Sequence, residues 1–566
     1  MEERKMKKYS IIIAAVLALA ACSREELPVN EQPAGNPVYT MTVKATKSAD
    51  NALTRALEIK DGSLEATWTE GDVVKIFDAS DNEIGSLTAQ GSGATVTLKG
   101  SMENTVKAND VLTLKFLGNE YGSHDGTLTG TGKSIDKVCD YSTASITVSE
   151  IKDGIVTTSE ANFERPQAII KFTLKDGSSN INPSSLSMKY GETEVNLADI
   201  PAETYSTNGE GVIFVAVPCE KSGQDVSISA VAGGDDYFLE KTGVTFEKGK
   251  YYSITANMTK GFSLNSVNGD ITLKDGYTLT GTLDGYEQPY KISIAAGAKV
   301  TLKDATINGY DSYDYTWSGI TGEGDATITL EGDNVVKGFY ERFSGLRVPD
   351  NSTLTINGEG TLDVSSNGMA AGIGSAMWDN SGCGNIVIEG NPVIKATGGK
   401  TAAGIGSCWT SNNFINNKCG NITIKGGTIT AIGGHGGAGI GTAYGSTGSY
   451  LSTCGDITIT GGTIIATGGY FAAAIGGGGG SETDKYTRSY YSVGDITITE
   501  GVTKVVATKG EGKISEGGFS YAPAAIGHGL DYYINGMETS PRHHVGTVTV
   551  GSNQGSIFES PYTYEP

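Results

Sequence analysis

The chain has 566 residues, enough for several domains, and a formal charge of −22, which excludes nucleic acid and anionic membrane surfaces as electrostatic partners. Charged residues make up 19% and hydrophobic ones 38%, so a wholly disordered chain is excluded. Glycine numbers 80 against 14 prolines, which marks it as turn glycine in repeats rather than filler.

Residues 1–21 read as a signal peptide. Arg4, Lys5, Lys7 and Lys8 precede an apolar stretch, Ile11 to Ala20, that is too short to span a bilayer. Leu19-Ala20-Ala21-Cys22 resembles the lipobox of bacterial lipoproteins. The resemblance implies cleavage before Cys22, its lipidation and an outer-membrane anchor. Ser23-Arg24-Glu25-Glu26 is similar to the surface-export signal of Bacteroidetes lipoproteins, which implies exposure on the cell surface. Residues 22–37 form a proline-bearing tether.

Residues 38–260 carry short alternating strands, among them 38–46, 73–79, 94–100, 111–117, 144–151, 168–176, 211–218, 225–233 and 251–258. Such spacing predicts two β-sandwich domains, 38–164 and 165–260, with a seam at Phe163-Glu164-Arg165-Pro166. Trp68-Thr69-Glu70-Gly71-Asp72, Asp125-Gly126-Thr127-Leu128, ANFERPQAIIKFTL from Ala161 and VTFEKGKYYSITANM from Val244 follow one another in order. Together they resemble the fimbrillin-like proteins of Bacteroidetes over under half the chain. The resemblance implies transthyretin-like sandwiches and kinship with lipoprotein-derived pili. Pilins of that family are cut after an arginine, which removes the first strand and opens a groove for a donated one. Arg55 sits at the matching place, although an intact Arg55 is the expectation here. Stalk pilins end on the strand they donate, and this chain does not. The departure points to a tip, an anchor or a free surface lipoprotein.

Residues 262–566 repeat themselves. AGIG-type phrases at 369–375, 401–407, 437–443, 472–478 and 523–529 alternate with NITI-type phrases at 383–390, 419–427, 454–462, 493–501 and 545–552. A three-strand unit that cannot bury its own apolar face must stack on its neighbours, so the pattern predicts a parallel β-helix. It is taken as right-handed from the rule for parallel crossovers. Ile386, Ile422, Ile457, Ile496 and Val548 should form one inward column, and Ile388, Ile424, Ile459, Ile498 and Val550 the next. Fainter phrases at 271–276, 300–307, 326–335 and 352–364 bring the coil to about eight rungs, or about 40 Å. Ser318-Gly319-Ile320 and Ser344-Gly345-Leu346 fit the AGIG phrase.

Cys383, Cys419 and Cys454 share one repeat position, later taken by Val493 and Val545, which reads as a buried stack. Cys408 could pair with Cys383 or Cys419. No CxxC spacing occurs, so no metal or other cofactor is expected. Asn385, Asn421, Asp456, Asp495 and Thr547 should form a polar ladder along the axis. Asp456 and Asp495, about 5 Å apart on such a ladder, have a spacing that suits a retaining glycosidase or a Ca²⁺ ion, but they lack the partners that catalysis requires. Five loops of variable length follow the AGIG phrases and should share one edge of the rod. They carry Trp378, Trp409, Phe414, Tyr444, Tyr450, Tyr490, Tyr491, Tyr532 and Tyr533. Rings among Asn, Ser, Asp and Thr suit sugars and protein partners alike, and they equally suit packing of the loops onto the rod. Tyr310, Tyr313, Tyr315, Trp317, Phe339, Tyr340 and Phe343 precede the SGI and SGL corners and should lie on the same edge. The whole reads as an all-β, non-enzymatic adhesin that binds glycan or a host or bacterial surface protein, with pilin subunits as further partners. The alternatives are a polysaccharide-degrading β-helix enzyme and a structural pilus subunit.

Overall fold

A computed structural model describes residues 38–47, 58–60, 63–117, 129–131, 140–197, 200, 212–377, 382–409, 417–443, 451–479, 491–512, 514–516, 519–529 and 543–566. Among them there is no α-helix. The chain divides into two compact units.

In the first unit Val38–Lys47, Val73–Phe77, Glu83–Ala89, Thr95–Glu103, Val111–Phe116, Ser142–Lys152, Ile155–Thr158 and Ala161–Phe163 form one eight-stranded sheet. Val38–Lys47 pairs antiparallel with Thr95–Glu103 and parallel with Ile155–Thr158 and Ala161–Phe163, so the sandwich closes on itself through its first strand. The strand alternates, and Met41, Val43 and Ala45 face the core. Trp68 is fully buried, edge-on to Phe116 (5.3 Å) and Phe163 (5.0 Å). The buried Lys47 lays its Nζ 3.7 Å above the Phe116 ring and 4.0 Å from Asp72. Asp72 in turn accepts from the Thr69 amide, across a turn whose Gly71 has φ +92°. The Trp-Thr-Glu-Gly-Asp motif is thus a core plug, a turn and a partner for a buried lysine.

The second unit holds the second sandwich. Gln167–Asp176, Ser179–Asn180, Val212–Pro218 and Tyr251–Asn257 face Ser185–Tyr190, Thr193–Leu197, Gln224–Ala232 and Asp235–Val244 across one core. Two expected boundaries shift. Thr129–Thr131, assigned by sequence to the first sandwich, pairs with Val212–Pro218 in the second. No linker separates the second sandwich from the coil. Thr259–Ser263 pairs antiparallel with Asp235–Val244 and parallel with Thr278–Asp284, so one strand belongs to both and a single sheet of 22 strands runs on into the coil.

The coil is a parallel β-helix. Val300, Ile328, Ile356, Ile388, Ile424, Ile459, Ile498 and Val550 stack in register, and Ile386, Ile422, Ile457, Ile496 and Val548 stack beside them. A second face stacks Leu362, Ile394, Ile429, Ile464 and Val505. The third stacks Ile320, Leu346, Ile373, Ile405, Ile440, Ile475 and Ile526. Burying each such side chain contributes about 1.5–3 kcal/mol, and the buried side chains form one continuous core from Leu264 to Val550. The coil is longer than eight rungs. Nine strands stack in the Ile-Gly face, and its first is Ile271–Leu273, from the earliest of the faint phrases. Thr278–Asp284 occupies the NITI face in that turn.

A candidate binding edge on the coil

The two-residue Ile-Gly strands make a tight corner. At Gly406 φ is +138°, and a Cβ there would run into the Gly441 carbonyl on the next rung. The hydroxyls that follow turn inward and are fully buried. Ser375 Oγ accepts from the Cys408 amide (2.7 Å), Ser407 Oγ from Ala443 (3.0 Å) and Thr442 Oγ1 from Gly478 (2.8 Å). Each hydroxyl thus satisfies an amide one rung on, at the position where a variable loop leaves the coil.

The loops return at an equally regular place. Lys418–Cys419, Ser452–Cys454, Tyr491–Val493 and His543–Val545 form a four-stranded parallel sheet with Cys419, Cys454, Val493 and Val545 in register. Cys383 and Cys419 have Sγ atoms 3.2 Å apart, and both are buried. Cys408 is free and buried, and Asn417 Nδ2 donates to its Sγ (3.0 Å). The exposed Asx ladder runs alongside. Asn385 Oδ1 accepts from the Asn421 amide, Asn421 from Asp456 and Asp456 from Asp495, each at 2.9 Å, and Asp495 accepts from Thr547 at 2.7 Å. One oxygen of each carboxylate is therefore engaged in stitching rungs together.

Among the loop residues singled out by sequence, Trp378, Phe414, Tyr444, Tyr450, Tyr490, Tyr532 and Tyr533 lie outside the described residues, as do Cys22 and Arg55. Tyr491 is not on the edge. It is 1% exposed, and its hydroxyl hydrogen-bonds His528 Nδ1 and the Gly529 carbonyl, both at 3.3 Å. The reason is parity, since Tyr491 stands two residues before Val493 and strand alternation turns both inward. Trp409 is half-buried against Met369, Met377, Ala402 and Cys408, so part of its ring packs the loop stem.

The upstream aromatic residues sit in the turns that enter the Ile-Gly strand, whereas the variable loops leave it. Because that strand is so short, the two sets touch: the Met377 amide donates to Arg342 O (2.8 Å) and Gly479 to Gly436 O (2.9 Å). Trp317 packs on Phe339 and Tyr315. Tyr310 and Tyr313 are 45% and 68% exposed. Sequence reasoning missed Tyr286, which is 66% exposed and edge-on to Tyr310 at 5.0 Å. The signal was there, in the repeated turns Gly285-Tyr286, Gly309-Tyr310 and Gly338-Phe339. Asn367 braces two of these turns, its Nδ2 facing the carbonyls of Gly309 (3.2 Å), Gly338 (2.6 Å) and Phe339 (2.9 Å).

Residues 354–377, 422–444 and 457–479 match the family described as beta helix repeat. No curated protein matches. A candidate cell adhesion protein from Bacteroides ovatus aligns over 40% of this chain and 96% of its own, at 13% identity and a TM-score of 0.23. One from Bacteroides uniformis aligns over 40% and 97%, at 14% identity and a TM-score of 0.22. A shaft pilin from Lactobacillus rhamnosus aligns over 39% and 96%, at 8% identity and a TM-score of 0.17.

Proposed function

We propose that the chain is a non-catalytic adhesin, lipidated at Cys22, anchored in the outer membrane and displayed on the cell surface. The coil binds glycan or a surface protein along the edge where its loops leave. The observation that supports this most is the regular stacking of the loop stems. Buried hydroxyls at Ser375, Ser407 and Thr442, and the column of Cys419, Cys454, Val493 and Val545, hold these loop bases at equivalent points of their rungs. Loops on such a rigid scaffold commonly carry function. Asp456 and Asp495 receive no catalytic role, because each has an oxygen on a backbone amide.

The test is adherence of the full mature chain to host and bacterial cells, compared with a Trp378→Ala/Tyr444→Ala/Tyr532→Ala variant. Loss of adherence in the variant supports the edge. Equal adherence removes it.

A second reading, a role in a pilus, draws on the first strand. Val38–Lys47 lies between Thr95–Glu103 and Ile155–Thr158 and buries Met41, Val43, Ala45 and Lys47. A cut after Arg55 and loss of that strand would expose this apolar seam to a donated strand. The N-terminal sequence of the surface-displayed protein decides it: a start at Ala56 supports assembly, and a lipidated Cys22 on the same intact chain excludes this route.

A further inference from the structure

We propose that Tyr286, Tyr310 and Tyr313 form a preformed platform for a neutral oligosaccharide. The inference rests on the adhesion reading and names the ligand class and a place on the edge.

Three observations carry it. The first is exposure. Tyr286, Tyr310 and Tyr313 are 66%, 45% and 68% exposed, while Phe339 and Tyr340 of the next turn are buried. Tyr286 and Tyr310 belong to successive rungs and touch edge-to-face, and Tyr313 rests on Tyr340 of the next rung at 5.4 Å. Successive rungs stand about 4.8 Å apart, a step comparable to one pyranose ring.

The second is rigidity. The Tyr286 amide donates to Asp284 Oδ1 (2.9 Å), Gly285 N to Asn308 O (2.9 Å) and Glu341 N to Asp311 Oδ1 (2.8 Å). With Asn367 bracing the turns of Gly309 and Gly338, the turns that carry the rings are held before any ligand arrives, and little backbone ordering cost remains at binding.

The third is charge. Asp284, Glu287, Asp311, Asp314 and Glu341 flank the rings, five acids against two cations in the same turns, Lys291 and Arg342, and Arg342 is 3.3 Å from Glu341. An acidic glycan is repelled there. A neutral sugar stacks its C–H face on a tyrosine ring and donates its hydroxyls to the carboxylates. Three exposed rings are too small a surface for a stable protein interface, which buries about 1,200–2,000 Å².

The experiment titrates the full mature chain with cellohexaose, maltohexaose, mannohexaose and xylohexaose, and with hexagalacturonate as the acidic probe. It is repeated on Tyr286→Ala/Tyr310→Ala/Tyr313→Ala. The expected result is binding of at least one neutral hexaose, at least tenfold weaker in the variant, and weaker or absent binding of hexagalacturonate. An unchanged melting curve shows that the variant is folded, as exposed rings allow. Neutral binding that survives in the variant, no neutral binding, or preference for hexagalacturonate each overturns the proposal. Cell adherence measured in parallel separates the two readings. If the triple variant adheres as well as the wild type, the platform falls and the adhesin stands. If the wild type neither adheres nor binds any sugar, both fall. Adherence that persists on deglycosylated cells assigns the partner to protein and likewise overturns the platform.

Discussion

The Sγ atoms of Cys383 and Cys419 stand 3.2 Å apart on successive rungs, in a column that Cys454 continues. Hydrogen bonding to Cys383 and Cys454, together with burial, holds the Cys419 thiol well above the ordinary range. Burial pushes Cys408 up to about 12. The thiolate is the reactive form, so iodoacetamide at pH 8 under reducing conditions should not label Cys408 or Cys419 in the native chain, and burial alone should shield Cys383 and Cys454 from the reagent. All four should be labelled in denaturant, as peptide mass spectrometry would show. Native labelling at any of them would contradict the packed column.

The same thiols give the coil a pH dependence of definite sign. Below about 9, the ordinary thiol value, the folded and unfolded chains both hold the Cys408 proton. Above it the unfolded chain loses that proton while the folded chain keeps it up to about 12. The folded state then binds more protons, so its stability falls as pH rises through this window, by up to about 1.4 kcal/mol per pH unit and thiol. The difference in urea midpoint between wild type and Cys408→Ala should therefore shrink from pH 8 to pH 10.5. A constant difference would mean that Cys408 titrates normally.

The rung-to-rung bonds of the Asx ladder are accepted by side-chain oxygens, and Asn385 Nδ2 adds a bond to Thr353 Oγ1 at 3.4 Å. Asn421 Oδ1 accepts the Asp456 amide, and Asp456 Oδ1 performs the same task for Asp495. Asn421→Asp should therefore be near neutral in chemical unfolding, whereas Asn421→Ala should cost about 1 kcal/mol. Equal losses in both would show that the amide nitrogen matters and that the ladder is misread.

Much of this fold was legible because the repeat places chemically equivalent residues at equivalent positions. Ile422 under Ile457 follows from aligning NITI with DITI, and the tight corner follows from AGIG. The early rungs were harder to place because they lack the Gly-Ile-Gly mark, so nothing in the phrase 271–276 told that Ile271–Leu273 stacks in the Ile-Gly face. The shared strand Thr259–Ser263 was hidden for another reason. Nothing in its residues tells that it pairs antiparallel on one side and parallel on the other. At the candidate site, Tyr491 was counted as a loop ring although its parity with Val493 already turned it inward. Tyr286 was overlooked because its turn carries only Tyr286 and Tyr290, set four residues apart, rather than a run of rings.

Asn334 is the least legible residue of the core. It is 1% exposed and stacks in the column that continues with Leu362, Ile394, Ile429 and Ile464. Pattern alone would write a leucine there. The chain needs an amide because Asp304, at φ +51°, turns a corner within the strand Lys299–Asn308 beneath it, where its pairing passes from Ala326–Glu331 to Asp333–Lys337. Asn334 Oδ1 accepts from the Ala305 amide (2.9 Å), and its Nδ2 donates to the Glu331 and Thr361 carbonyls (3.0 and 3.1 Å). Asn334→Leu would keep the volume and improve the hydrophobic pattern, yet strand three backbone groups in the core, each costing about 1–3 kcal/mol. The expected outcome is a loss of several kcal/mol in urea unfolding, larger than that of Leu362→Ala, at about 2–5 kcal/mol, only if all three groups stay dry. Asn334→Asp keeps the acceptor but sets a carboxylate oxygen against the Glu331 and Thr361 carbonyls in a buried site, so it should be at least as destabilising as leucine at neutral pH. A leucine variant as stable as wild type would show that the column, not the amide, holds this rung.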